Sequence, residues 1–381
     1  MRIRSVELRT LRLPLVSPFT TSFGTETERQ ALLVAVHATI PGADGRTTKA
    51  TGWGECVAGS TPLYSSEYVG GALEVIQRFL VPRLFEAQQF DQLSAETAAE
   101  TLSAVKGHRM AKAALEMALL DATLRARGES FAHYLGAVRD RVPAGVSVGI
   151  QDSIPQLLDT VASYLDAGYV RIKLKIKPGW DIEPVRSVRE RFGDIPLQVD
   201  ANAAYTLGDA AHLRRLDEFD LLLIEQPLAE DDLYQHARLA ERMRTPMCLD
   251  ESVVSAQAAA VAITLGAAAV INIKAGRVGG YLEARRIHDL ARAHGIAVWC
   301  GGMIETGLGR GANAALAALP GFTLPGDISG SDRFYLQDVT EPFVIKDGHI
   351  AVPTGPGLGV EPIPEILDEF TVSRVAISSP R

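Results

Sequence analysis

Five ionisable side chains recur at nearly equal intervals in the second half of the chain. They close the apolar stretches KLK, QVD, LLLIE, CLD and INIK, and they are Lys175, Asp200, Glu225, Asp250 and Lys274. The intervals between them are 25, 25, 25 and 24 residues. Because one strand and one helix take about this length, the spacing predicts that all five lie at the same end of neighbouring parallel strands.

Three of these residues are acids on consecutive predicted strands, namely Asp200, Glu225 and Asp250. Three carboxylates that converge in a partly dry cleft repel one another unless a cation neutralises them or some become protonated. A ligand set made only of oxygen atoms selects a hard ion, so we expect Mg²⁺, with Mn²⁺ or another divalent ion as the alternative. Water and a substrate carboxylate would supply the remaining ligands.

Lysines flank the three acids. Lys173 and Lys175 are two residues apart and share one face of their predicted strand, whereas Lys274 comes from the far side. A second ammonium, a divalent cation and partial burial each lower the pKa of a lysine and prepare it to accept a proton. Two lysines across a substrate could remove a proton from one face and return it to the other, while the metal holds the charge of the enediolate. A single residue of this kind is more often solvated or caps a helix, but five at one interval do not fit that explanation.

Strands and helices alternate around these residues. The candidate strands are short apolar runs at 145–150, 170–175, 197–200, 221–225, 247–250, 269–274, 297–301 and 322–325. Helical segments lie between them at 154–167, 181–192, 207–218, 233–244, 256–265 and 280–294. This alternation indicates parallel βαβ units, and because no GxGxxG follows the first strand, it favours a closed barrel over a Rossmann sheet.

The flanking segments are different. Residues 1–60 have the texture of strands, with a polar loop expected at 17–24, and residues 66–127 have a helical pattern that ends at Gly128. The last fifty residues again indicate strands and turns. The expected parts are an α+β capping domain at 1–138, the barrel at 139–326 and a C-terminal tail at 327–381 that packs back on the capping domain.

Composition excludes several classes of protein. The 381 residues include 38 Lys and Arg against 46 Asp and Glu, a net charge of −8, which disfavours nucleic acid and anionic membranes as partners. The first residues alternate charged and apolar side chains without the apolar core of a signal peptide, and no run of eighteen apolar residues occurs. We therefore expect a cytoplasmic protein.

The sequence resembles the enolase superfamily, in its muconate-lactonising subgroup. More narrowly, it is similar to the branch of N-succinylamino acid racemases and o-succinylbenzoate synthases. The resemblance extends over almost the whole chain, from SPFTTSFGT at 17–25 to VPTGPGLGVEP at 352–362. The motifs that carry it are RIKLKIKPGWD (171–181), LQVDANAAYTLGDA (197–210), LLLIEQPLAEDD (221–232), MCLDES (247–252), INIKAGRVGGYLEA (271–284) and WCGGMIETGLGR (299–310).

The resemblance implies a fold and a set of roles. The fold would be a (β/α)7β-type TIM barrel with an α+β capping domain built from the N-terminal segment and the C-terminal tail. Asp200, Glu225 and Asp250 would bind Mg²⁺, Lys175 and Lys274 would be the acid and base, and Lys173 would orient the substrate carboxylate. The residues implied to contact the substrate are Phe19, Thr20, Phe23, Tyr64, Asn202, Gly301, Gly302, Met303 and Ile304.

Several of these roles have structural alternatives. Phe19 and Phe23 could pack between domains instead of shaping a lid, and Tyr64 could be structural. Asn202 and Glu251 could support the metal ligands or form local turns. Arg277 could tune Lys274 or only stabilise the barrel through a salt bridge. The backbone amides of residues 301–304 are expected to hold a succinyl group.

The expected reaction is abstraction of a proton α to a carboxylate. It would lead to racemisation of an N-succinylamino acid, to dehydration that gives o-succinylbenzoate for menaquinone synthesis, or to both. The alternatives are a muconate-type cycloisomerase, an acid-sugar or dipeptide reaction of the same superfamily, and a barrel that binds small acids without turnover. Residues 325–332 lack the Asp-x-Asp that holds a substrate amine in dipeptide epimerases of the subgroup. We expect a small carboxylate as the partner and a homo-oligomer as the assembly.

Overall fold

The computed structural model describes residues 1–22, 24–42 and 46–380. It contains a four-stranded antiparallel sheet, a seven-stranded parallel sheet and a two-stranded pair. The thirteen strands in the described ranges are β1 (Arg2–Thr20), β2 (Thr25–Pro41), β3 (Thr47–Cys56), β4 (Arg141–Pro143), β5 (Gly145–Val148), β6 (Arg171–Lys175), β7 (Leu197–Asp200), β8 (Ile224–Glu225), β9 (Met247–Leu249), β10 (Val270–Ile273), β11 (Ala297–Cys300), β12 (His349–Ala351) and β13 (Thr371–Ser378).

Helices pack on both sheets. They are α1 (Val69–Val75), α2 (Val81–Gln89), α3 (Ala98–Thr101), α4 (Arg109–Arg127), α5 (Phe131–Leu135), α6 (Ile154–Asp166), α7 (Ile182–Phe192), α8 (Ala210–Leu213), α9 (Leu233–Ala240), α10 (Ala256–Thr264), α11 (Ala275–Val278), α12 (Tyr281–Ala293), α13 (Gly307–Ala317) and α14 (Pro364–Phe370). A π-helical turn, Ile76–Leu80, joins α1 to α2. No helix among the residues so described is long and apolar enough to cross a membrane.

The antiparallel sheet joins the two ends of the chain. Its order is β13-β1-β2-β3, and Leu8 of β1 pairs with Val375 of β13. The loop expected at 17–24 is shorter than predicted, because β1 continues to Thr20, which pairs with Thr25 of β2. Polar Thr and Ser side chains give that segment the pattern of a loop, but Phe19 and Thr20 pair with Glu26 and Thr25 of β2.

The alanine-rich helix α4 packs directly on this sheet. Gly52 and Gly54 of β3 face it, and a Cβ atom on Gly54 would lie 2.0 Å from the carbonyl oxygen of Ala114. Small residues on both elements therefore allow the backbones to approach closely. Gly128, with φ of 68°, ends the helix in the left-handed conformation, as the sequence predicts.

The parallel sheet runs in chain order from β5 to β11. Side chains of Ser153, Asp232 and Ser255 accept hydrogen bonds from the first turns of α6, α9 and α10, so these three crossover helices begin at a capping residue. The helix expected at 207–218 is instead a short α-helix between two 3₁₀ turns, Leu207–Asp209 and Arg214–Glu218.

The segment expected as the eighth strand closes the barrel without forming a regular strand. Phe322 forms a parallel bridge with Val298 of β11, and Gly326 forms one with Ala144 beside β5. The amide of Gly145 donates to Gly326 O at 2.8 Å, and the amide of Asp327 donates to Cys300 O at 2.9 Å. Residues 322–327 thus connect the two edges of the seven-stranded sheet, as the last position of a (β/α)7β barrel requires.

Beyond this segment the chain returns to the N-terminal half. Strand β12 pairs with β4, and β13 pairs with β1. The terminal helix α14 and strand β13 are more regular than the turn-rich pattern of the sequence indicates. The domain boundaries at 138 and 326 stay predictions.

Candidate active site

The parallel strands bring the five equally spaced residues to one end of the barrel. Lys175, Asp200 and Glu225 are the last residues of β6, β7 and β8, and they are paired in register. Asp250 directly follows β9 and Lys274 directly follows β10. All five side chains are buried. The carboxyl ends of the strands therefore hold a row of three acids with a lysine on either side.

Ammonium groups contact every acid of this row. Lys175 Nζ donates to Asp200 Oδ2 at 2.6 Å, and Lys274 Nζ donates to Asp250 Oδ2 at 2.7 Å. Lys173 Nζ lies 3.1 Å from Asp200 Oδ2 and 3.0 Å from Glu225 Oε2. The row is thus a compact network of buried opposite charges, which is stable only because its members neutralise one another.

The acids differ in how easily they ionise. Burial, and then repulsion by the Asp200 carboxylate, raise the pKa of Glu225 to about 8. Burial would raise the pKa of Asp200 as well, but the ammonium groups of Lys175 and Lys173 hold it well below its usual range. Of these two acids, Glu225 in the middle of the row is therefore the one whose ionised form the lysines stabilise less.

Two lysines of the site, Lys173 and Lys274, have raised pKa values in the protein alone. Burial alone would lower the pKa of Lys274, but Asp250 and other acids raise it well above the usual value. Burial would also lower the pKa of Lys173, but the net effect of its acidic neighbours is to raise it. These neighbours are Asp327, Glu225 and Asp200. In the protein alone the carboxylates therefore outweigh burial and the neighbouring ammonium at these two lysines. The expectation of a lowered pKa, which includes a bound divalent cation, stays a prediction.

The acid row fits a hard divalent cation in number, charge and burial of its carboxylates. Asp250 Oδ1 is buried and accepts no well-oriented hydrogen bond, although Arg277 Nη2 lies 2.9 Å away. Within residues 1–22, 24–42 and 46–380, no three His, Cys, Asp or Glu side chains already enclose an ion-sized space. The ammonium of Lys173 lies between Asp200 and Glu225, so a cation would bind in competition with it.

The predicted supporting residues contact this row directly. The Asn202 amide accepts a hydrogen bond from Lys175 and donates one of 2.9 Å to Glu251 Oε1. Glu251 is buried, and burial followed by the Asp250 charge raises its pKa to about 7. Arg277 donates to the carbonyl of Val253 at 2.6 Å, which fixes it beside Asp250.

Backbone strain is concentrated after these strands. Asn202, Gln226 and Ile304 have φ of 43°, 37° and 58°. The value for Ile304 is unusual because a β-branched side chain disfavours the left-handed region. The Gln226 side chain supports the turn after the neighbouring strand β9, since its Oε1 accepts the amides of Asp250 and Ser252 at 3.1 and 3.2 Å. Such strain is typical of functional sites that the surrounding structure holds in place.

The capping segments contribute some of the expected lid residues. Tyr64 lies beside Lys274, with its hydroxyl 3.0 Å from Nζ and 3.2 Å from Asp250 Oδ2. The Phe19 ring meets Phe334 edge-on at 6.0 Å, and the Thr20 carbonyl accepts the amide of Ile150 at 3.0 Å. Phe23 lies outside the described residues.

The glycine-rich turn after β11 reaches the same place. A Cβ atom on Gly301 would lie 2.7 Å from Cε of Lys274, so only glycine leaves this lysine its present position. The amide of Gly301 donates to Ile273 O and the amide of Met303 donates to Glu305 Oε2. Two of the four amides expected to hold a succinyl group are thus already bonded within the protein, which leaves Gly302 and Ile304 for that role.

A cavity of about 550 Å³ opens onto the two lysines from the capping side. It reaches Lys175, Asn202 and Lys274 at the barrel mouth. The capping residues along it include Phe19, Arg29 and Tyr64. A small carboxylic acid with a side chain fits a space of this size.

Sequence reasoning missed four residues that complete the network. Lys173 Nζ lies 2.7 Å from Asp327 Oδ2 and Arg171 Nη1 lies 2.8 Å from Asp327 Oδ1. The Asn272 amide donates to Glu225 Oε1 at 2.6 Å, and Lys173 lies 4.8 Å from the centre of the Trp299 ring. Arg171 and Asn272 could have been found, because each precedes a predicted lysine by two residues on the same face. Asp327 has no local signal.

Family comparisons agree with this architecture. Residues 3–136 match the mandelate racemase / muconate lactonizing enzyme N-terminal domain, and residues 156–366 match the enolase C-terminal domain-like family. The chain belongs to the enolase superfamily. It is accordingly an enzyme of the class that removes a proton α to a carboxylate with the help of a divalent metal ion.

Individual relatives narrow the resemblance. The chain is 64% identical to an N-succinylamino acid racemase of Amycolatopsis sp over 380 residues, covering 100% of both proteins. It is 46% identical to an o-succinylbenzoate synthase of Geobacillus kaustophilus, covering 95% of this chain and 94% of that one. Muconate cycloisomerase 1 of Rhodococcus opacus is 32% identical, with 95% and 96% covered. A solved enolase superfamily member from Listeria innocua has a TM-score of 0.92 and 37% identity, with 100% of both chains covered.

Proposed function

We propose that this enzyme racemises N-succinylamino acids by moving a proton between the two faces of the α-carbon. The observation that carries the proposal is the position of Lys175 and Lys274 on opposite sides of three buried carboxylates at adjacent strand ends. A planar enediolate between two lysines can be protonated from either side, which is what racemisation requires.

The protein groups have distinct roles in this scheme. One lysine, as the free amine, accepts the α-proton, and the opposite lysine, as the ammonium, donates a proton to the other face. Lys173 orients the substrate carboxylate and keeps the acids together through its contacts with Asp200, Glu225 and Asp327. Tyr64 positions Lys274 through its hydroxyl group. Asn202 does the same for Lys175.

Asp200, Glu225 and Asp250 would hold the metal ion, and we propose Mg²⁺. Their oxygen-only donor set and their burial support a hard cation, and Mn²⁺ meets the same requirements. When bound, such an ion supplies positive charge that stabilises the carboxylate oxygens of the substrate as the α-proton leaves. Glu251 and Arg277 would keep the ligands in place through Asn202 and Asp250.

The racemase relative of Amycolatopsis supports the assignment of an N-succinyl group to the substrate. The amides of Gly302 and Ile304, which are left for this role, support it as well. The cavity on the capping side, with Phe19 along it, would take both the amino acid side chain and the acyl group. A cytoplasmic location and a homo-oligomer stay predictions.

Dehydration to o-succinylbenzoate is a second candidate, because the relatives named for it cover nearly the whole chain. It begins with the same proton abstraction, followed by loss of the β-hydroxyl group as water. Both products therefore come from one set of catalytic residues, and the contacts of the rest of the substrate decide between them.

One experiment separates these reactions. A single Mg²⁺-loaded sample is assayed in parallel for racemisation of an N-succinylamino acid, for o-succinylbenzoate formation and for muconate cycloisomerisation. The proposal expects racemisation, with or without the dehydration. Turnover of muconate alone, or binding of these acids without any turnover, would contradict it.

A further inference from the structure

A buried arginine of the capping segment forms no ion pair with any residue that the structure describes. Arg29 lies in β2, where it pairs with Leu13 of β1, and only 2% of its surface is exposed. Its Nε and Nη2 atoms are buried and donate no hydrogen bond within the described residues. A guanidinium group in this situation is costly, since buried charges are normally paired.

The buried acid of the neighbouring strand interacts with this charge but forms no hydrogen bond with it. Glu55 is buried in β3, and its carboxylate accepts hydrogen bonds from the amides of Thr306 and Gly309 and from the Thr306 hydroxyl. No ion pair joins Arg29 to Glu55 in the part of the chain that the structure describes. Glu55 therefore caps the first turn of α13 and accepts no hydrogen bond from Arg29.

Arg29 lies along the cavity that leads to the catalytic lysines. The same cavity is lined by Lys175 and Lys274 at its inner end. A second arginine, Arg12, also lines it, but Arg12 is exposed and lies 3.6 Å from Glu28 Oε1. Of these two arginines, only Arg29 combines burial with unused donor atoms.

The unused donor atoms of Arg29 could therefore bind an anionic group of the substrate. In the proposed function the substrate α-carboxylate lies at the acid row and the α-carbon lies between the two lysines. A second anionic group of the substrate would then lie at the other end of the molecule. A guanidinium binds a carboxylate through two parallel N–H···O bonds and gains most where water is excluded.

We propose that Arg29 binds the terminal carboxylate of the N-acyl group and thereby selects dicarboxylic acyl chains such as succinyl over acetyl. The proposal rests on the function assigned above and adds the residue that reads the acyl group. Arg29 is a specificity residue in this scheme, remote from the proton transfer.

The test compares matched substrates in matched variants. Racemisation kinetics are measured for the N-succinyl and N-acetyl forms of one amino acid with wild-type enzyme, Arg29→Gln, Arg29→Lys and the control Arg83→Gln, which changes an exposed arginine of α2 away from the cavity. For Arg29→Gln we expect kcat/KM to fall about tenfold to a hundredfold with the N-succinyl substrate, through KM, and by less than about threefold with the N-acetyl substrate. Arg29→Lys should recover part of the loss, and Arg83→Gln should behave as wild type.

An equal loss on both substrates would overturn the proposal and make Arg29 a structural counter-charge for Glu55. Calorimetry of N-succinylglycine and N-acetylglycine binding in the presence of Mg²⁺ gives an independent readout. Glycine has no stereocentre, so these derivatives bind without being converted to another product. A preference of wild type for N-succinylglycine that disappears in Arg29→Gln would support the proposal. This holds even if the wild-type enzyme fails to racemise any substrate, because that failure would reject only the proposed function. Equal binding of both glycine derivatives by wild type would reject the role of Arg29.

Discussion

The Lys274 ammonium lies 2.7 Å from Oδ2 of Asp250, so an acid–base group and a proposed metal ligand share one hydrogen bond. Lys175 and Asp200 repeat the relationship at 2.6 Å on the other side of the site. A cation on these carboxylates would compete with both ammonium groups. Loading of the metal and release of the lysines for proton transfer are therefore coupled in this site.

Removal of one acid from the row should abolish metal binding. In Glu225→Gln the middle side chain can no longer ionise to bind a cation while the backbone is unchanged, and we expect the affinity for Mn²⁺ to fall by more than about a hundredfold. Titration calorimetry with Mn²⁺ measures this without any substrate. Glu230→Gln, an exposed acid in the loop after the same strand, is the control. Wild-type affinity in Glu225→Gln would exclude Glu225 as a ligand.

Loss of the Tyr64 hydroxyl should affect one face of the substrate more than the other. Tyr64→Phe removes the contacts of 3.0 Å with Lys274 and 3.2 Å with Asp250. We expect α-proton exchange with D₂O to slow about tenfold for the enantiomer that Lys274 deprotonates, and to change less for the other. NMR of each pure enantiomer measures the two rates. Equal slowing of both rates, or wild-type rates, would show that Tyr64 does not position Lys274. The exposed Tyr68 of the same region provides the control variant Tyr68→Phe.

Glu116 makes stability depend on pH. Its buried carboxyl group accepts the amides of Tyr281 and Leu282 at the start of α12, and burial raises its pKa from 4.5 to about 8. Between these values the folded state holds the proton that the unfolded chain has lost, so this group lowers the free energy of unfolding as the pH rises from 4.5 to about 8.

Glu116→Gln cannot release that proton. We expect the free energy of unfolding of the variant to rise relative to wild type by an amount on the order of a few kcal/mol between about pH 5 and about pH 8. Urea denaturation at several pH values measures this difference. Glu86→Gln, on the exposed face of α2, should show a constant offset. A constant offset for Glu116→Gln too would mean that the Glu116 carboxyl is ionised in the folded protein.

The close contact between α4 and β3 should tolerate no methyl group. In Gly54→Ala the new Cβ would meet the Ala114 carbonyl at 2.0 Å, and because a backbone atom cannot rotate away, we expect a loss of about 2–4 kcal/mol in the free energy of unfolding. Gly208→Ala is the control, since its Cβ would meet only the Thr206 hydroxyl at 3.3 Å. Equal melting temperatures for Gly54→Ala and wild type would contradict this packing.

The sequence predicts the repeating parts of this protein well. Apolar runs that end in Lys175, Asp200 and Glu225 identify β6, β7 and β8, because a strand buried on both faces is a short continuous apolar stretch and its ending is abrupt. The row of acids and its flanking lysines follow from strand order alone.

Features that depend on distant contacts are not predictable in this way. Residues 322–327 complete the barrel through isolated bridges to Val298 and Ala144, whereas the short apolar run at 322–325 predicts a regular strand. Asp327 joins the lysine network from this irregular segment, and the left-handed Ile304 is set by the surrounding turn. The raised pKa of Lys274 likewise comes from carboxylates on other strands. The spacing of the sequence predicts where these carboxylates lie, but it does not predict whether their effect on the pKa exceeds that of burial.

The central claim is that two lysines act on opposite faces of one α-carbon, and α-proton exchange in D₂O tests it most directly. Pure D- and L-N-succinylamino acid are each incubated with Mg²⁺ and with wild-type enzyme, Lys175→Ala, Lys274→Ala or Lys177→Ala, an exposed control two residues beyond Lys175. The account predicts that neither active-site variant racemises, that each loses exchange of a different enantiomer by about 10²-fold or more, and that Lys177→Ala matches wild type. If both active-site variants lost exchange of the same enantiomer, or if either racemised at the wild-type rate, the two-lysine mechanism would be wrong.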